Sequence, residues 1–167
     1  RPITAAIKAT PVASFIILVL MWFSGKNLSV IISMLMVFPV IYMNVLEGIR
    51  SADEELLEMA QVFRLSVGKK LLYIYLPAVA PFFVSACSVS LGLCWKSGIA
   101  AEVIGTPDGS IGAVFYQAKI FLQTSELLAW TVVVVAVSVA FEKLFMFLLR
   151  LVLKKLKMED VLNGKRA

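Results

Sequence analysis

The sequence predicts an all-α membrane protein: four transmembrane helices, a helical cytoplasmic loop and one helix lying in the outer interface. Three observations carry that prediction. Of the 167 residues, 60% are hydrophobic and only 16% charged, with mean hydropathy +0.92, against about 45–50% apolar and about 25% charged in a soluble domain. Charge-poor stretches of bilayer-crossing length recur along the chain. Such a length is roughly 20 apolar residues, because a helix rises about 1.5 Å per residue and the hydrocarbon core is about 30 Å thick. Finally, Lys and Arg gather on one side of those stretches, which marks cytoplasmic segments.

The first stretch, residues 9–25, lies between Lys8 and Lys26, and its apolar part runs from Pro11 to Phe23. Pro11 suits a first helical turn, where its missing N–H is no loss. This span is the shortest, and a signal anchor or a buried core helix competes with it. The second span is placed at residues 27–46. The third lies in the uncharged interval 71–95 and is placed at 76–96, and the fourth, at 127–150, is interrupted only by Glu142 and Lys143. Pro39 and Pro81 fall inside the second and third spans and should kink them, which a bilayer tolerates when neighbours satisfy the freed carbonyls.

Orientation follows from the basic residues. Arg1, Lys8, Arg50, Arg64, Lys69, Lys70, Arg150, Lys154, Lys155, Lys157, Lys165 and Arg166 fall on one side; only Lys26, Lys96 and Lys119 fall on the other. Both termini and the 47–70 region are therefore expected in the cytoplasm. The net charge of +5 and pI of about 9.3 are then a topology signal and imply no nucleic-acid partner.

Between the second and third spans, Ser51-Ala52-Asp53-Glu54 reads as a capping box, with Ser51 accepting from a backbone N–H and Glu54 reaching back. Asp53, Glu54 and Glu55 suit the positive end of a helix dipole. Leu56, Ala60, Phe63 and Val67 then form one apolar stripe, and Ser66 is placed to cap a second short helix leading to Leu76-Pro77. Residues 51–75 thus predict two short helices with a bend near Arg64–Ser66; an amphipathic loop lying on the inner leaflet is the alternative. Residues 97–125 form the external segment. There Gly105-Thr106-Pro107-Asp108-Gly109 predicts a turn, and Ile111, Val114, Phe115, Ala118, Phe121 and Leu122 recur at helical spacing from Ser110 to Gln123, an interfacial amphipathic helix.

Several chemistries are excluded. Without histidine there is no imidazole base and no His-ligated metal site. Cys87 and Cys94, inside an apolar run, are expected to be small buried hydrophobes, so no metal, catalytic residue or cofactor is predicted. No Gly-x-Ser-x-Gly elbow occurs. Gly68-Lys69-Lys70 lacks the upstream Gly and the Ser/Thr of a phosphate cradle. The chain opens on Arg1 without the n-region of a signal peptide, and we expect a fragment of a longer chain.

The stretch EMAQVFRLSVGKKLLYIYLP, residues 58–77, resembles the EAA loop of binding-protein-dependent ABC importer permeases. That pattern runs E-A-A, three residues, Gly, nine residues, then I-x-L-P. Glu58, Ala60, Ile74, Leu76 and Pro77 fall in register; Met59 replaces the second motif residue and Arg64 the glycine. Arg64 makes a glycine-only backbone conformation unexpected there, so the bend is expected to differ or to shift towards Gly68. WKSGIAAEVIG (95–105) and QAKIFLQTSELLAW (117–130) are similar to permeases of the nitrate, sulfonate and taurine subclass. The resemblance covers the whole chain and implies a type I ABC importer permease-like bundle in a bacterial inner membrane, forming a solute pathway. It implies further N-terminal spans, Arg1 falling ahead of the family's third. It also implies a cytoplasmic ATPase that binds the loop, an external solute-binding protein, a permease homodimer and surrounding lipid. The coupling contacts are then Leu56, Leu57, Met59, Ala60 and Phe63, with Glu58, Arg64 and Ser66 as polar partners or helix-end groups.

For the pathway, a wheel of the third span places Ala78, Pro81, Ser85, Ser88, Gly92 and Lys96 on one face, with Phe83, Cys87, Leu91 and Cys94 opposite. Small residues also let a neighbouring helix approach closely. Lys96, at the outer end, is a candidate to attract an entering anion or a snorkelling interfacial lysine. Glu102 is a candidate for the outer gate, for a brace against Lys96 or Lys119, or for a solvated carboxylate. Glu142, about 12 Å along the axis from Arg150, is expected in the inner leaflet, paired, hydrated or gating. Against a transport subunit stand two other readings, a membrane anchor that only docks a cytoplasmic partner and an intramembrane enzyme.

Overall fold

A computed structural model describes residues 11–23 and 27–155. Among these the chain is helical throughout: α1 (Val12–Trp22), α2 (Leu28–Arg50), α3 (Glu54–Val62), α4 (Val67–Lys70), a π-helical segment (Leu71–Tyr75), α5 (Leu76–Gly105), α6 (Ile111–Ile120) and α7 (Thr124–Lys155). Three helical stretches among the described residues are long and apolar enough to cross a membrane: Leu28–Arg50, Val67–Gly105 and Thr124–Lys154. The expected first span is represented by the 11 residues of α1; residues 9, 10, 24 and 25 lie outside the described residues, as do Arg1, Lys8, Lys26, Lys157, Lys165 and Arg166 of the charge pattern.

The helices overrun the boundaries drawn from charge. Residues 97–105 continue α5 to Gly105, because small and apolar residues there keep the helical ladder intact. The run stops at Thr106 (φ 40°), followed by Pro107 and by Gly109 at φ 75°, the expected turn. Pro39 and Pro81 both sit inside helices. Pro77 explains the π-helical turn before α5. It has no N–H to offer the carbonyl four residues back, and the ladder widens so that Leu76 N–H reaches Leu71 O, one residue further than in an α-helix.

Two compact units are distinguished. The first comprises the chain to Pro39 with Ser90–Lys143, and its core is Ile16, Leu28, Ile32 and Ala101, flanked by Phe15, Val19 and Leu20. Small residues bring α2 and α5 together there: Ser33 Oγ donates to Cys94 O (3.1 Å), and a Cβ on Gly98 would lie 3.0 Å from that hydroxyl oxygen. Cys87 is buried, but Cys94 is exposed, correcting the expectation that both are buried; only the backbone carbonyl of Cys94 is held.

The second unit comprises Val40–Val89 with the chain from Leu144. Ala80 of α5 packs on Leu153 of α7 beside Leu76, Val84 and Leu149. Gly48 of α2 meets α5 backbone to backbone, a Cβ there falling 2.8 Å from Val79 Cα. A third cluster, Ala52, Ala60 and Ile74, holds α3 against the start of the long helix.

Candidate functional site

Two places gather the residues singled out by the sequence. The first is the 51–75 loop. Helix α3 starts from Asp53, whose carboxylate accepts from Glu55 N–H at 2.9 Å. Ser51 is not the cap: its hydroxyl donates to Gly48 O (2.9 Å) at the end of α2. The capping-box reading is therefore corrected, since the better acceptor, a carboxylate two residues later, takes the N-cap while Ser51 closes the preceding helix. Ser66 occupies the N-cap position of α4 without a side-chain cap bond.

Ala60 is fully buried against Ile74, and Leu57, Leu65 and Tyr75 pack around them. Burying an Ile such as Ile74 is worth about 1.5–3 kcal/mol, so this contact anchors the short helix. Leu56, Met59, Val62 and Phe63 stay exposed, Phe63 at 71%, and Glu58 is exposed as well. The expected single stripe thus divides. Helix α3 ends at Val62, so Phe63 and Val67 no longer follow its period; Ala60 and Leu57 face the anchor while the rest form a separate apolar face. Val62 belongs to that face and was not singled out by the sequence.

The end of α3 also corrects the expectation for Arg64. Leu65 N–H donates to Ala60 O (2.9 Å) and Arg64 N–H to Gln61 O (3.0 Å), the paired bonds of a Schellman ending. Arg64 takes its left-handed position at φ 49°. The bend therefore stays where the family's glycine stands, and Gly68 sits inside α4. What holds a non-glycine residue there is the closed hydrogen-bond pair together with Leu65, which reaches back onto Ala60. The left-handed conformation costs an L-residue roughly 1–2 kcal/mol, partly offset because Gly loses more freedom on folding. Arg64→Gly is accordingly expected to stabilise the chain by about 1 kcal/mol, read as a higher unfolding midpoint in detergent, whereas Arg64→Val should lower it.

The second place is a cleft of about 310 Å³ in the first unit, lined by Leu91, Gly92, Trp95, Lys96 and Ile99 of α5 and by Val134, Val135, Ser138 and Glu142 of α7. Trp95 meets Phe141 edge to face, ring centroids 6.2 Å apart. Lys96 is not at the end of its helix, which continues about 13 Å further to Gly105. It lines the same cleft as Glu142, although the charge pattern alone placed Lys96 at the outer end of its span and Glu142 in the inner leaflet. Leu91, assigned to the far side of the wheel, also lines the cleft, which spans a wider arc than one stripe. Trp95, Ile99, Val134, Val135 and Ser138 were missed. The polar pair Ser138 and Glu142, one turn apart within the apolar middle of α7, was the available signal.

Of the remaining pathway candidates, Ser85 is exposed and Ser88 half-buried; both belong to the second unit and neither lines the cleft. Glu102 is half-buried and accepts from Gly112 N–H (3.1 Å) at the start of α6. It therefore braces α6, with neither Lys96 nor Lys119 as its partner in that bond. Ser110 completes the helix start, accepting from Ala113 N–H at 3.0 Å.

Comparison with known proteins gives these features a context. The family described as "Binding-protein-dependent transport system inner membrane component" matches residues 1–158. SsuC of Escherichia coli (strain K12), a permease protein named for aliphatic sulfonates, is 36% identical over 135 residues, 78% of this chain and 48% of that protein. The taurine transport system permease protein TauC of the same organism is 27% identical over 142 residues, 84% of this chain and 51% of that protein. The nitrate import permease protein NrtB of Synechococcus elongatus is 26% identical over 151 residues, 77% of this chain and 53% of that protein. The chain spans about half the length of the curated relatives it matches. This is a transport family and not an enzyme class, and long apolar helices are what a multi-pass component needs. The chain belongs to the family of binding-protein-dependent transport system inner membrane components.

Proposed function

We propose that this chain forms part of the translocation pathway of an ABC importer and is coupled to a separate cytoplasmic ATPase through residues 51–75. The observation that carries this reading is the two-sided character of α3: Ala60 is locked to Ile74 while Leu56, Met59 and Phe63 stand exposed on the same short helix. A helix with one apolar side anchored and another open suits insertion into a groove of a partner. Because the anchor lies at the start of the run from Val67 to Gly105, displacement of α3 by nucleotide-driven closure would displace the beginning of that span, the kind of motion alternating access requires.

In this reading both termini and the loop are cytoplasmic, an external binding protein delivers the solute, and two permease copies pair within a bacterial inner membrane. The printed substrates of the relatives, sulfonates, taurine and nitrate, support a small anionic or anion-bearing solute. The whole chain acts as one transmembrane permease domain. Ser85, Ser88, Gly92, Lys96 and Glu102 belong to the pathway or its outer brace.

Glu58 is the coupling carboxylate. Glu58→Lys is expected to lower uptake at least about tenfold, a change of about 1.4 kcal/mol in coupling, while ATP hydrolysis and membrane insertion persist. Measuring hydrolysis and uptake in the same vesicles checks it, and normal coupled uptake would defeat the assignment. Lys96→Ala, Ser88→Leu and Gly92→Leu test the pathway. Unchanged uptake in all three would leave a membrane anchor as the better reading.

A further inference from the structure

We infer that the cleft between α5 and α7 is a zwitterion site: Lys96 takes the anionic end of a small solute and Glu142 its ammonium end. This deepens the proposed pathway and rests on that reading for its biological role. A lysine and a glutamate on apolar helices are both costly against hydrocarbon, and here they line one and the same cleft. Charged residues on such helices characteristically face a bundle interior or a water-filled cavity, and a cleft carrying both signs suits a solute that carries both.

Its chemistry selects between solutes. A plain anion drawn to Lys96 is repelled by the carboxylate on the opposite wall, and a plain cation drawn to Glu142 is repelled by the ammonium. A molecule carrying both charges satisfies both walls at once. The half-buried carboxylate of Glu142 has about four lone-pair sites, so an ammonium adds to the contacts it already makes. The volume of about 310 Å³ lies at the small end of ligand sites, sized for a solute of a few heavy atoms. Gly92 lines it beside open space: a Cβ there would meet nothing within 4 Å, so a long side chain has room to project into the cleft. Trp95, fixed by its edge-to-face contact with Phe141, supplies a flat wall on which a cationic end can rest.

The test is a titration of the full chain in lipid nanodiscs with Trp22→Phe and Trp130→Phe, leaving Trp95 as the remaining tryptophan. Three probes are compared: 2-aminoethanesulfonate, ethanesulfonate and ethylammonium. Saturable Trp95 quenching by the aminosulfonate is expected, with each single-charge probe binding at least about tenfold more weakly. Glu142→Gln should erase the preference over ethanesulfonate, Lys96→Gln should weaken both sulfonates, and Gly92→Leu, which fills the cleft without changing charge, should remove binding of all three. Equal affinity for the aminosulfonate and ethanesulfonate, or no saturable response to any probe, overturns the proposal without reference to any variant. The titration contains no ATPase, so failure of the coupling reading leaves its outcome unchanged.

Discussion

Phe63→Glu is expected to abolish retention of the ATPase subunit during purification while the permease still inserts and keeps its helical content. Phe63 is 71% exposed and sits at the C-cap of α3, outside the cluster of Ala60 and Ile74 that holds the helix in place. Its ring therefore adds little to folding and is available to fill a groove. An interface anchor of this kind is worth about 2–4 kcal/mol when truncated. A glutamate in the same groove adds an unpaired buried charge, so the dissociation constant should rise at least about a hundredfold. Phe63→Leu is the control, expected to retain most binding. Co-purification with the ATPase reads the result, and an unchanged complex with Phe63→Glu would remove the exposed face of α3 from the interface.

Gly112→Ala is expected to destabilise the first unit. Gly112 is the second residue of α6 and its amide donates to Glu102 of α5. A Cβ there would fall on Glu102 Cβ and the Glu102 carbonyl carbon, and 2.5 Å from Val103 N. Two of these are backbone atoms of a long helix and the third is the Cβ fixed to it, so they cannot step aside as the far end of a flexible side chain would. Alanine gains about 1 kcal/mol of helix propensity over glycine. Overpacking costs about 1–3 kcal/mol and occasionally more, and the Glu102 bond is lost as the helices part. The net loss of about 2 kcal/mol should appear as a lower unfolding midpoint in detergent, with α6 more open to protease. Gly68→Ala, at a site with nothing within 4 Å, should show no such loss.

The contrast between the two positions indicates what could be read in advance. Pro77 of the I-x-L-P residues announced a local change in the ladder, which is the π-helical segment just before it, because a proline has no N–H to donate. The long uncharged runs announced helices, since hydrogen-bonded backbone is required of any segment in lipid. The Gly105–Gly109 turn was likewise a local matter. Arg64 was misread because residue type states a preference and not a conformation; two hydrogen bonds and the burial of Leu65 outweigh a local cost of about 1–2 kcal/mol.

The cleft was beyond sequence for a different reason. Lys96 and Glu142 are far apart along the chain, and which depths of α5 and α7 coincide depends on how far each helix runs past its uncharged core. The amino-acid sequence by itself determined that this chain is helical and membrane-spanning, with a short amphipathic helix between its second and third apolar runs. Those properties follow from composition and from periodicity within single segments. Only the tertiary structure decided that α3 keeps one apolar face anchored and another open, that Arg64 closes it, and that a lysine and a glutamate share one cleft. These depend on contacts between segments distant along the chain, whose register no local pattern encodes.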